Sequence, residues 1–313
     1  MRNQPPWDPP IAIHPQNSQN THTHTMILLP SSSKGPSFTK KFLRASSLPT
    51  HFPTTKFIFP LARRAPTSPL WRFSKKRSWL HHSNSDSDTT LRHTVAYIRA
   101  LLFHEASELK LSGLPTRNSG FDRLVLAGCG DGAAVAMVAL LGMRYRVGGY
   151  VGMDGWFVYD EGTERALVET EEWRWERRVR ALRRCFRPGT GLGAGNEEEG
   201  WDGMMEWAFP GILDLDMTCS MDRDRVDVLA APLFLGRRVH CRSRRRRRRR
   251  QRRRARWEAS TVLFDLHMRE VMGMEVTARA YEIRDWVGPG SRRFYEDVAG
   301  FLQERVGVPG GLG

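Results

Sequence analysis

Residues 124–141, LVLAGCGDGAAVAMVALL, set an apolar run, a glycine-rich turn and an alanine-rich run in direct succession. Two kinds of chemistry use that succession. A strand that turns sharply into a helix can hold a serine hydroxyl clear of the chain, as in a G-x-S-x-G elbow, where a histidine takes the hydroxyl proton. A glycine loop of the same shape can let the backbone approach a dinucleotide-type cofactor. In GCGDG the apex falls on Gly130, which has no side chain, so the elbow spacing is present without a nucleophile. Cys129 stands one position earlier, on the strand side of the turn, where a buried packing role is expected. Ser31, Ser32 and Ser33 follow an earlier apolar run and read as a solvated turn. His240 and His267 flank an arginine-rich block and read as surface residues.

The elements around this turn alternate between strand and helix. TMILLP (25–30) predicts a buried strand, followed by a loop and a helix from Phe38. KFIFPLA (56–62) predicts a second strand, and a loop rich in Pro, Arg and Ser runs from Arg63 to about Thr89. Residues 91–110 carry Val95, Ile98, Leu101, Leu102, Ala106 and Leu109 at helical spacing. Further strands are predicted at 122–128, 147–156, 231–236 and 275–282, with helices at 263–274 and 292–306. Strands separated by helices imply a central, mostly parallel sheet covered on both faces, a three-layer α/β domain.

Composition bounds what surrounds that domain. The chain has 313 residues, of which 40% are hydrophobic, enough for one sizeable core. Residues 1–24 are rich in Pro, Asn, His and Thr, lack an apolar signal segment, and read as a disordered arm before a domain spanning 25–306. Residues 160–227 form an irregular insertion, 237–260 an arginine-rich low-complexity insert, and 307–313 a Gly-rich tail. No apolar run is long enough to cross a membrane. Cys129, Cys185, Cys219 and Cys241 are scattered without a C-x-x-C pair, so disulfides and metal are not expected and a reducing, cytoplasmic setting is.

The net charge of +15 is concentrated in one place. Residues 242–256 hold twelve arginines and no acid, leaving +3 on the rest of the chain. Such a block repels itself and stays solvated. It reads either as a nonspecific nucleic-acid contact and nuclear address, or as an expansion or mis-spliced segment without function. Trp173, Trp175, Trp201 and Trp207 lie in the insertion, where they could line an acyl-chain groove or pack a cap.

Taken in order, THTMILLP…GPSF, HFPTTKFIFPLARR, VAYIRALL, DRLVLAGCGDGAAVAMVALL, RVGGYVGMDGW, APLFLG, MGMEV and FYEDVAGFL resemble the phospholipase/carboxylesterase family of α/β hydrolases, in particular its fungal acyl-protein thioesterase-like members. The resemblance implies an α/β-hydrolase fold, no cofactor, and acylated proteins or lipid esters as substrates. It also implies a Ser–His–Asp triad with an oxyanion site near the first strand and after the serine. On that pattern the nucleophile position is Gly130 and the histidine position is Asp285. The oxyanion region is Pro30, Ser31, Ser32 and Asp131, and no acid is identifiable after APLFLG. The expectation is therefore a hydrolase by descent that has lost its chemistry.

A second resemblance competes for the same turn. VLAGCGDG looks like the glycine loop of class I methyltransferases, which implies S-adenosylmethionine at Gly128, Gly130 and Gly132, with Asp154 on the ribose. The hydrolase pattern has a serine where Asp154 stands. The two readings part on topology: the hydrolase reading requires TMILLP and KFIFPLA in the same sheet as DRLVLAG.

Overall fold

In a computed structural model of the chain, the described residues are 7–15, 22–31, 37–64, 77–80, 87–112, 120–143, 145–155, 230–238, 265, 268–269, 274–283, 286–288 and 290–310. Their elements are β1 (Ile11–Ile13), β2 (His24–Leu29), α1 (Ser37–Ser46), α2 (Leu48–His51), β3 (Thr55–Phe59), β4 (Arg63–Arg64), β5 (Arg77–Ser78) and α3 (Ser87–Leu111). There follow β6 (Leu124–Cys129), α4 (Asp131–Leu141), β7 (Gly149–Met153), β8 (Leu233–Arg238), β9 (Val276–Tyr281) and α5 (Arg292–Phe301).

Seven strands form one sheet in the order β1-β3-β2-β6-β7-β8-β9. Every neighbouring pair is parallel except β1 with β3. The strands that the apolar runs predict thus lie side by side. β2 stands between β3 and β6, which is the arrangement the hydrolase reading requires.

Alternation within the strands splits the core in two. Ile27, Leu29, Leu124, Leu126, Leu233 and Leu235 face α3 and α4. Met26, Leu28, Val125, Ala127, Cys129 and Phe234 face α1 and α5. Because both faces are covered, β2 and β6 are buried at every position and read as continuous apolar runs. α4 is buried over Gly132–Leu141, and its alanines let it lie close against the sheet. α3 is tied down by an ion pair: Lys56 of β3 donates to Glu105 at 2.8 and 2.9 Å, and the Thr25 hydroxyl donates to the same carboxylate at 3.4 Å.

Several boundaries differ from expectation. The arm is not wholly without structure: β1 pairs with β3 in the register Ile11↔Phe59 to Ile13↔Phe57, and Trp7 stacks on Tyr97 at 4.2 Å and 7°. Ile11, Ile13 and Trp7 supply apolar area that the Pro-rich, polar composition obscures, and the edge of β3 supplies unpaired backbone groups. His22 and Thr23 also join the folded part, with the Thr23 amide donating to the Thr54 carbonyl. Arg237 and Arg238 belong to β8 rather than to the arginine-rich insert, paired with Ala280 and Tyr281 of β9. The expected loop after Arg63 contains the β4–β5 pair, and α3 starts at Ser87. The last helix becomes a wider π turn over Leu302–Val306. The Gly-rich tail is anchored at its start, where Val308 is buried and its amide donates to the Leu302 carbonyl. The insertion 160–227, its tryptophans, the block 242–256, and Ser32, Ser33, His240, His267 and Asp285 lie outside the described residues.

Candidate functional site

The turn from β6 into α4 sits at the C-terminal edge of the sheet, where parallel α/β folds place their ligands. Gly130 occupies its apex with φ 56° and ψ −120°, a backbone region that side chains rarely adopt. Its amide donates to the Met153 carbonyl at 2.8 Å, tying the apex to the end of β7. The Ala134 amide donates to the Gly130 carbonyl at 3.1 Å, so the helix begins at once.

The two flanking glycines are there for contact. A methyl group on Gly128 would meet the Ala133 backbone at 2.5 Å, and one on Gly132 would run into the carbonyls of Leu29 and Pro30. The apex itself has room. A Cβ on Gly130 would lie 3.4 Å from the Ser31 hydroxyl oxygen and 3.7 Å from its Cβ, which is ordinary contact. The backbone therefore has the sharp turn and the clearance that a nucleophile elbow needs, with a glycine at its apex.

The surrounding groups are held in place. Pro30 accepts a hydrogen bond from the Trp79 indole at 2.6 Å, and the Trp79 carbonyl accepts from the Thr94 hydroxyl at 3.2 Å. The loop entering the site is thereby fixed to α3. Tyr150, fully buried under α4, donates from its hydroxyl to the Ala133 carbonyl at 2.8 Å, and burial pushes its phenol up. Asp131, in the first turn of α4, places an acid where the helix dipole favours one. Cys129 is buried, and its side chain belongs to the α1/α5 face of the core.

Asp154 does something the sequence reading missed. It follows β7 with φ 53°, is 1% exposed, and gathers three donors. The Arg238 amide donates to Oδ1 at 3.0 Å, and the Trp286 indole donates to Oδ2 at 2.7 Å. The Arg238 guanidinium Nε pairs with the same carboxylate. The group joins the ends of β7 and β8 to the turn before α5. Its carboxylate is occupied inside the protein, so it is not presented to a ribose hydroxyl as the methyltransferase reading expects. The signal in the sequence is slight, a lone Asp before Gly-Trp, because its partners lie far along the chain.

His22 and His24 stand away from the elbow, at the opposite, N-terminal end of β2, since Thr25 pairs with Leu124 while Leu29 pairs with Gly128. Among the described residues no cluster of three His, Cys, Asp or Glu side chains could hold a metal. Nor is any helix among them long and apolar enough to cross a membrane.

No family model matches the chain, and no curated protein does. Solved structures do. SOBER1 of Arabidopsis thaliana aligns over 90% of this chain and 99% of its own, at 11% identity and a TM-score of 0.50. Acyl-protein thioesterase 2 of Zea mays aligns over 96% and 100%, at 15% identity and a TM-score of 0.47. A carboxylesterase of Mesorhizobium loti aligns over 90% and 89%, at 11% identity and a TM-score of 0.48. At such identities the likeness concerns the fold, and the fold is that of the α/β hydrolases.

Proposed function

We propose that this chain is a non-catalytic α/β hydrolase, derived from esterases and thioesterases that act on acylated proteins or lipid esters. One observation carries the reading: an elbow with its strained apex, its two contact glycines and its clearance, and a glycine where the nucleophile belongs. Such a turn with an empty apex is what descent from a serine hydrolase would leave behind. On the family pattern the histidine position is Asp285, whose carboxylate is a weaker base than an imidazole near neutral pH.

Removing nucleophile and base leaves only binding and whatever oxyanion stabilisation the loop retains. Purified protein is expected to hydrolyse p-nitrophenyl esters and acyl thioesters no faster than its heat-denatured control. Gly130→Ser, for which the clearance exists, is expected to fold and still not turn over, because no base is restored. Turnover well above the denatured control in the unmodified protein would overturn the proposal.

A further inference from the structure

Away from the elbow, α1 and α5 flank an open cavity of about 370 Å³, lined by Lys41, Arg44, Ala45, Val287 and the turn Gly288, Gly290, Ser291 into Arg292. α1 buries Phe38, Thr39 and Phe42 and turns Lys41 and Arg44, one helical turn apart, to the outside. Neither cation has an ion-pair or hydrogen-bond partner among the described residues. Arg292 lines the other wall, and among the described residues it pairs with Glu296 in an exposed i,i+4 pair that an incoming anion can displace.

Ring contacts and hydrogen bonds brace the walls from behind. Phe42 meets Tyr295 edge-on at 5.4 Å, the Tyr295 hydroxyl donates to the Trp286 carbonyl at 2.5 Å, and the Ser291 hydroxyl donates to the Gly288 carbonyl at 2.7 Å. With Ser291 turned back to Gly288, α5 opens with no side-chain cap and no acid in its first turn. All charge lining the cavity is positive, in a space larger than a single ion requires.

We propose that this cavity binds a phosphomonoester dianion. Two guanidinium groups and one ammonium on opposing walls match a tetrahedral group with several acceptor oxygens better than a planar carboxylate. The site is independent of the hydrolase-descended reading and of the arginine block.

The experiment uses the full chain, titrated by calorimetry with inorganic phosphate at constant ionic strength. The double substitution Lys41→Ala with Arg44→Ala is compared with Lys110→Ala with Arg146→Ala, which removes the same charge elsewhere and leaves the arginine block intact in both. One saturable site is expected, weakened about tenfold or more in the first variant and unchanged in the second. Vesicles of phosphatidylcholine with phosphatidic acid separate the two sources of the group. Dependence on Lys41 and Arg44 for free phosphate supports a soluble ligand, and the same dependence for vesicles alone supports a lipid headgroup. Equal weakening in both variants, or none in either for both probes, overturns the proposal.

Discussion

Gly130 and Gly132 show how differently two glycines of one turn constrain the chain. Gly132 is required by the carbonyls of Leu29 and Pro30 that lie against it, whereas Gly130 is required by nothing but its dihedral angles. A serine can take such angles at a cost of about 1–3 kcal/mol, so the fold itself does not demand a glycine at the apex. The strand–turn–helix itself was legible in the sequence, because the glycine spacing is local. The Asp154–Arg238–Trp286 group was not, because it joins residues 84 and 132 positions from the acid. At the other end of β2, His24 is buried, and desolvation with the nearby Arg123 charge lowers its pKa to about 4. The unfolded histidine titrates near 6.5, so between those values the unfolded chain binds more protons than the folded one. Stability is therefore present in full above pH 6.5 and falls as pH drops towards 4, by about 2–4 kcal/mol from this residue. Urea unfolding of the protein and of His24→Gln at pH 7 and pH 4.5 measures it. The variant is expected to lose less stability on acidification, and equal losses would dismiss His24 as the cause.

At the scale of elements, the parallel strands were readable because burial on both faces makes them unbroken apolar runs. β1 escaped that reading. It is three residues long, lies on the edge, and sits between polar, Pro-rich segments, so no periodicity accumulates. Arg237 and Arg238 were assigned to the insert by charge, although β9 pairing and Asp154 give both a place in β8. β1 also brings Trp7 onto Tyr97 and Trp79, and Trp79 in turn holds Pro30 beside the elbow. Arg63 lies over the Trp7 ring at 4.2 Å, adding a cation–π contact to the same clasp. Deleting residues 1–15 is expected to lower the melting temperature by several degrees, the loss of a half-buried aromatic and three ladder residues being worth about 2 kcal/mol. Hydrogen exchange should quicken at the β3 amides and around Leu29–Ser31 while β7 and β8 keep their protection. Unchanged exchange at those positions would mean the clasp carries no load.

For the whole molecule, a nearly balanced domain of α/β-hydrolase fold carries most of its excess charge of +15 in one stretch of twelve arginines. Deleting residues 242–256 is expected to leave the melting temperature equal or higher, since it relieves self-repulsion and shortens a loop. The intact chain is expected to bind RNA and DNA without sequence preference in filter or polarisation assays, with binding lost when salt is raised several-fold. Binding by the deleted form would place that affinity in the domain instead. The central claim, a hydrolase architecture without hydrolase chemistry, is tested most directly by intact-mass spectrometry after exposure to excess fluorophosphonate, which labels any activated serine. The account predicts an unmodified mass for the folded protein. A stoichiometric adduct on one serine, Ser31 included, with ester turnover lost in step, would contradict it.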